Sequence, residues 1–112
     1  MKIYHNPRCG KSRKTLALLE ENGQRPEIIL YLKKPPSAEE LESVLNLLNF
    51  EPYDLIRTGE SLYKEKFKGQ NYAREEWLKI MVENPILIER PIVVHGDKAI
   101  IGRPPENVLS LI

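Results

Sequence analysis

At 112 residues the chain has room for one hydrophobic core and reads as one domain, residues 1–112; 41% apolar and 29% charged residues are the balance of a soluble globular protein. Seventeen Lys and Arg against sixteen Asp and Glu leave a net charge of +1, which argues against a general binder of nucleic-acid phosphates. No apolar run nears the roughly 18 residues of a membrane span, so no membrane partner is expected, and one cysteine with two histidines excludes an internal disulfide and a cysteine-rich metal site, pointing to a reducing, cytoplasmic location.

Residues 2–5 read as a short strand, and Pro7 disfavours helix at Asn6. The stretch His5-Asn6-Pro7-Arg8-Cys9-Gly10-Lys11-Ser12-Arg13 then leads into a helix over 12–22, with Leu16, Leu18 and Leu19 apolar and Gly23 just past its end. A thiol where a helix begins meets unpaired N–H groups and the positive end of the helix dipole, and Arg8, Lys11 and Arg13 add cationic charge. All of these favour the thiolate, so Cys9 is a candidate nucleophile. Arg13, four residues on, falls on nearly the same helix face as Cys9, and His5, across the turn, is placed to orient Cys9 or to move a proton.

Residues 26–32, with Ile28, Ile29, Leu30 and Tyr31 in one run, read as a buried strand, and strand, helix and strand make a parallel β-α-β unit. After Lys33-Lys34-Pro35-Pro36, Ser37 and Glu40 form a capping box opening a helix to about residue 49, with Leu41, Val44, Leu45 and Leu48 on one stripe. Residues 52–59 read as a short helix and 60–70 as a solvated helix or loop. A helix from residue 71 or 72 offers Trp77, Leu78, Met81 and Val82 to a core and closes at Asn84-Pro85. From Ile86 the chain reads as extended, with a hairpin turning at His95-Gly96-Asp97-Lys98 between Ile92-Val93-Val94 and Ala99-Ile100-Ile101. A last helix follows Gly102, with Pro104 or Pro105 at its first position and Val108, Leu109, Leu111 and Ile112 as its apolar side.

The order β-α-β, helical middle, β-β-α assembles into an α/β domain with one mixed four-stranded sheet and flanking helices, the layout of a thioredoxin-like fold. In that layout the thiol follows the first strand and a proline before the third often faces it. Pro91 is the candidate, and Gly10 and Ser12 are the other structural residues expected at the site.

The sequence resembles the glutaredoxin-linked arsenate reductase family. The resemblance lies in His5, Cys9 and Arg13 spaced H-x-x-x-C-x-x-x-R, and in Arg57 within L-I-R-T-G-E, Arg90 within E-R-P-I-V-V and Arg103 within I-G-R-P-P-E. It implies reduction of arsenate to arsenite on Cys9 with glutathione as co-substrate, a glutaredoxin as partner and no bound cofactor, while Arg57, Arg90 and Arg103 hold the oxyanion. Forked guanidinium donors suit a tetrahedral dianion. A single cysteine requires that the second thiol come from outside. Ser12 excludes a C-x-x-C oxidoreductase, and Thr15, where phosphatase-like arsenate reductases carry arginine, excludes that class. Two further readings stay open: a thiol-dependent reductase of another oxyanion or electrophile, and a non-catalytic regulator of this fold that binds RNA polymerase. The three arginines together with Cys9 favour the enzyme.

Overall fold

Strand β1, Lys2–Tyr4, has neighbours on both sides: it runs parallel to β2, Glu27–Ile29, and antiparallel to β3, Ile92–His95, which pairs antiparallel with β4, Lys98–Ile101. The sheet order is β2-β1-β3-β4, the mixed four-stranded sheet of the thioredoxin-like fold. The computed structural model describes residues 1–112 and divides into two units, Met1–Lys34 with Arg90–Ile112, and Pro35–Glu89.

The first unit holds the sheet, helix α1 at Gly10–Glu21, and a 3-10 helix at Pro105–Leu111. Its core takes one residue from each of four elements: Ile3 from β1, Leu19 from α1, Val93 from β3 and Val108 from the 3-10 helix, all fully buried. Truncating Leu19 to Ala at such a place costs about 2–5 kcal/mol. Helix α1 ends as Gly23 requires: that residue has φ of +79°, and the Gly23 and Gln24 N–H groups donate back to Glu20 and Leu19 carbonyls, a Schellman closure. The hairpin loop Gly96-Asp97 has positive φ at Gly96 alone, the pattern of a type II′ turn.

The sheet unit corrects two sequence expectations. Residues 26–32 are not a buried strand: β2 is three residues long and sits at the sheet edge with one neighbour, which leaves Ile28 47% exposed. The chain turns directly afterwards, with the Lys33 and Lys34 N–H groups both donating to the Leu30 carbonyl. The last helix is 3-10 rather than α, so three residues make a turn and Pro105, Val108 and Leu111 line up on one side. Leu109 and Ile112, expected on the apolar face, are exposed for that reason.

The second unit is the helical middle. It comprises α2 at Ala38–Leu48, a 3-10 turn at Pro52–Leu55, a π-helical turn at Tyr63–Phe67, α3 at Arg74–Glu83 and a 3-10 turn at Pro85–Leu87. Ser37 caps α2 by accepting from the Glu40 N–H, and Asn49, in the left-handed region, closes it. Leu41, Leu45, Trp77, Met81 and Leu87 are buried, and Tyr53, Tyr63, Phe67 and Tyr72 all have ring centroids within 6.5 Å of Trp77. Tyr63 is the buried anchor of the charged stretch 60–70 that periodicity left undefined. Residues 85–87 form a tight turn where an extended chain was expected, because Pro85 starts the turn and the Leu87 N–H closes onto the Asn84 carbonyl.

Gly102 packs most tightly of the glycines in the first unit. A Cβ there would lie 2.5 Å from Thr15 Oγ1 and 3.0 Å from Pro91 Cγ, while its N–H donates to the Pro91 carbonyl at 3.0 Å. Thr15 is fully buried and its hydroxyl is already committed to the Lys11 carbonyl at 2.8 Å, so it has little room to yield. We expect Gly102→Ala to lower unfolding stability by about 1–3 kcal/mol, read as a shift in the urea midpoint; an unchanged midpoint would show that the contact between α1 and the segment after β4 relaxes freely.

Candidate active site

The strand register decides which loops meet. Tyr4, at the end of β1, pairs with Ile29 at the end of β2 and with Ile92 at the start of β3, and Ile92 pairs with Ile101 at the end of β4. The segments after β1, β2 and β4 and the segment before β3 therefore leave from one end of the sheet. They carry His5 to Cys9, Leu30 to Lys34, Gly102 to Arg103 and Arg90 to Pro91. This is why two arginines distant in sequence, Arg90 and Arg103, come to the thiol.

The loop from β1 to α1 is tied at every residue. The Cys9 N–H donates to the Asn6 carbonyl at 3.0 Å, and the Arg8 N–H to Asn6 Oδ1 at 3.0 Å, an Asx turn that places Cys9 at the N-cap of α1. Arg13 reaches back, its guanidinium donating to the Pro7 carbonyl at 2.8 Å. Ser12, fully buried, accepts from the Asn6 N–H at 3.0 Å and lies 2.6 Å from His5 Nδ1. The Ser12 hydroxyl and His5 Nδ1 thus share a buried hydrogen bond that ties the ring to the start of α1.

Burial of Cys9 pushes its thiol pKa up. The Ser12 N–H, the Arg90 charge, the Lys11 N–H and the Arg103 charge oppose it, in that order of weight, and together they bring it below the ordinary thiol value. The N–H groups of the helix start and the two arginines thus favour the thiolate. Burial lowers the His5 pKa, and Arg13 lowers it further against a small opposing effect of Glu20. His5 is therefore neutral at pH 7.

The structure places Cys9, His5, Ser12, Arg13, Arg90, Pro91 and Arg103 in the first unit. The hydrogen bond of His5 goes to Ser12, and Arg13 donates to the loop carbonyl of Pro7. Pro91 is buried and follows a cis peptide bond from Arg90, and a second cis bond joins Arg103 to Pro104. Gly10 opens α1, but a Cβ there would meet only the Arg13 guanidinium at 3.8 Å, so space does not demand glycine. Arg57 belongs to the second unit, where its guanidinium lies 3.2 Å from Glu60 and 3.7 Å from Glu89. Sequence reasoning overlooked Asn6 and Gly102. The Asn-Pro-x-Cys order was a usable signal for the first, since asparagine before proline favours a turn.

Residues 4–111 match the family model described as the ArsC family. Among curated proteins, the chain is 48% identical to an arsenate reductase of Haemophilus influenzae, over 98% of this chain and 97% of that one. It is 50% identical to the uncharacterized protein YfgD of Escherichia coli K12, over 100% and 96% respectively. Among solved structures, an arsenate reductase from Vibrio cholerae superposes with a TM-score of 0.95 at 47% identity, covering 99% of this chain and 96% of that one.

Two pH responses follow. The alkylation rate of Cys9 by iodoacetamide, followed against pH, should reach half its maximum below the ordinary thiol pKa, and Arg90→Ala should move that midpoint upward; an unmoved midpoint would show that the Arg90 charge does not reach the sulfur. For His5, the unfolded chain takes up a proton near pH 6.5 while the folded chain resists it, so the unfolded state binds more protons in that window. Stability is therefore full above pH 6.5 and falls as pH drops through it toward the lower folded-state value. Urea midpoints above and below pH 6.5 should show this fall in the wild type and a smaller one in His5→Asn, and equal falls would assign the effect to other groups.

Proposed function

Because the chain belongs to the ArsC family of thiol-dependent reductases, we propose that it reduces arsenate to arsenite on Cys9, drawing electrons from glutathione and then from a glutaredoxin. The observation that carries the proposal is the convergence of Arg90 and Arg103 on the helix-start thiol: one set of charges both favours the thiolate and suits the oxyanion it attacks. A thiolate alone would repel an arsenate anion, and the two guanidinium groups offset that repulsion and supply forked donors to the oxygens.

Cys9 is the nucleophile. Its thiolate displaces one arsenate oxygen, which leaves as water after protonation, and a Cys9–S–As bond forms with arsenic still As(V). Arg90 and Arg103 hold the remaining oxygens as charge builds on them. Arg57 enters the proposal as a third oxyanion ligand on its sequence motif alone. His5 and Arg13 are positioning residues, acting through Ser12 and the Pro7 carbonyl. The chain encodes no second thiol, so the electrons that return Cys9 to its resting state come from outside, and a reducing cytoplasm is where we place the protein. No helix is long and apolar enough to cross a membrane.

The direct test is arsenate-dependent NADPH consumption by the purified protein with glutathione, glutathione reductase and a glutaredoxin. Turnover should require arsenate, both thiol components and Cys9, being abolished in Cys9→Ser. Arg90→Ala should lower kcat/KM roughly 100-fold, the scale of losing a donor to a developing oxyanion, whereas Lys64→Ala, at an exposed site, should change it by no more than about twofold. A wild-type rate no greater than that of folded Cys9→Ser would remove arsenate from the account, and equal effects of the two other substitutions would remove the arginine clamp.

A further inference from the structure

An open cavity of about 360 Å³ lies in the second unit, where the 3-10 turn at Pro52–Leu55 meets the first turns of α3. Its walls are aromatic, formed by Tyr53, Tyr72 and Trp77 with Pro52 beside them. The volume is at the lower end of the ~300–1,000 Å³ of small-molecule sites. None of the residues given a part in the thiol chemistry lines it.

The rings stand as separate walls and are fixed in place. Tyr72 meets Trp77 edge to face, with centroids 5.0 Å apart and planes at 82°, and Tyr53 meets it at 5.2 Å and 61°. The indole is buried, whereas Tyr53 is 43% exposed. A ring so exposed would ordinarily turn freely, yet the Tyr53 hydroxyl is hydrogen-bonded at 2.6 Å to that of buried Tyr63. Tyr72 is backed by the Phe67 ring at 6.4 Å. Core packing explains Trp77 and Tyr63; it does not explain an exposed ring fixed at the mouth of a recess.

The charge around the cavity has one sign. Arg74 is the only cation in its lining, and it is held by two carboxylates, Glu42 at 2.8 Å and Glu51 at 3.2 Å. A third carboxylate, Asp54, accepts from the Glu51 N–H at 3.0 Å, and exposed Glu75 and Glu76 follow Arg74 in the first turn of α3. The balance is negative even with Arg74 fully charged. An anion would meet these acids, and a neutral apolar ligand would make no use of them. A cation gains from both features, because the face of an aromatic ring carries the negative part of its quadrupole. A quaternary ammonium suits the rings best, since it has no N–H to leave unpaired against them.

We propose that this cavity binds a small organic cation of the quaternary ammonium class, its methylated head against Tyr53, Tyr72 and Trp77 and its charge balanced by Glu51. Trp77 is the only tryptophan of the chain, so its emission reports on this site alone. The intact protein is titrated with choline chloride and, separately, with its neutral isostere, the alcohol carrying a tert-butyl group in place of the trimethylammonium head. Sodium chloride holds the ionic strength constant, and calorimetry follows the same titrations. Choline should saturate the site, and the alcohol should bind at least about fivefold more weakly, the scale of a partly desolvated cation–π contact. Tyr72→Leu should weaken choline binding about five- to tenfold, while Tyr72→Phe, which keeps the ring face, should stay within about twofold of the wild type. The two wild-type titrations are decisive even where Tyr72→Leu does not fold. Equal binding of the alcohol would overturn the proposal by making the recess a plain apolar one. So would the lack of a saturable response to choline, or an unchanged affinity in folded Tyr72→Leu.

Discussion

The site depends on a register that places strand ends side by side. With Tyr4 opposite Ile29 and Ile92, and Ile92 opposite Ile101, four chain segments leave the sheet at one end. A slip of one residue in β3 would reverse which side chains of Ile92, Val93 and Val94 face the core and would displace both Arg90 and Arg103. That register is held by burial, since Ile3 and Val93 are directly opposed and both fully buried. Chemistry at the rim is thus fixed by apolar pairing in the middle of the sheet.

Around that end, the polar groups are organised by short-range bonds. Ser12 links the Asn6 backbone to the His5 ring, and Arg13 links α1 to the loop before it. Cys9 sits at the N-cap of α1 with its side chain free of any capping bond, and its surroundings favour its charged form. A nucleophile in a rigid loop loses little conformational freedom on attack, which is the economy that preorganised sites exploit. The helix start contributes N–H groups, and the arginines contribute full charges.

Much of this was legible in the sequence, and the limits have physical causes. The β-α-β and hairpin elements announced themselves through apolar runs and Gly-containing turns, and the thiol through its place between strand and helix. Burial of residues 26–32 was misread because a continuous apolar run looks the same at the centre of a sheet as at its edge, and only pairing partners distinguish the two. The last helix was misread because 3-10 and α spacing differ by a fraction of a residue per turn, which seven residues barely resolve. The hydrogen-bond partners of His5 and Arg13 are contacts that residue spacing does not supply. Gly102 carried no signal, since its need for hydrogen in place of a side chain comes from Thr15, 87 positions away in sequence.

The cations at this end of the sheet divide in a way their chemistry makes intelligible. Arg90 and Arg103 are partly buried, flank the hairpin and belong to backbone segments fixed by sheet pairing. A guanidinium held there offers a planar fork in a set direction, which suits a tetrahedral anion whose charge changes during reaction. Arg8 and Lys33 are exposed, on loops, and one of them is lysine, a mobile point charge. The chain has only one thiol, so each cycle must admit an outside thiol to the same sulfur that holds the oxyanion.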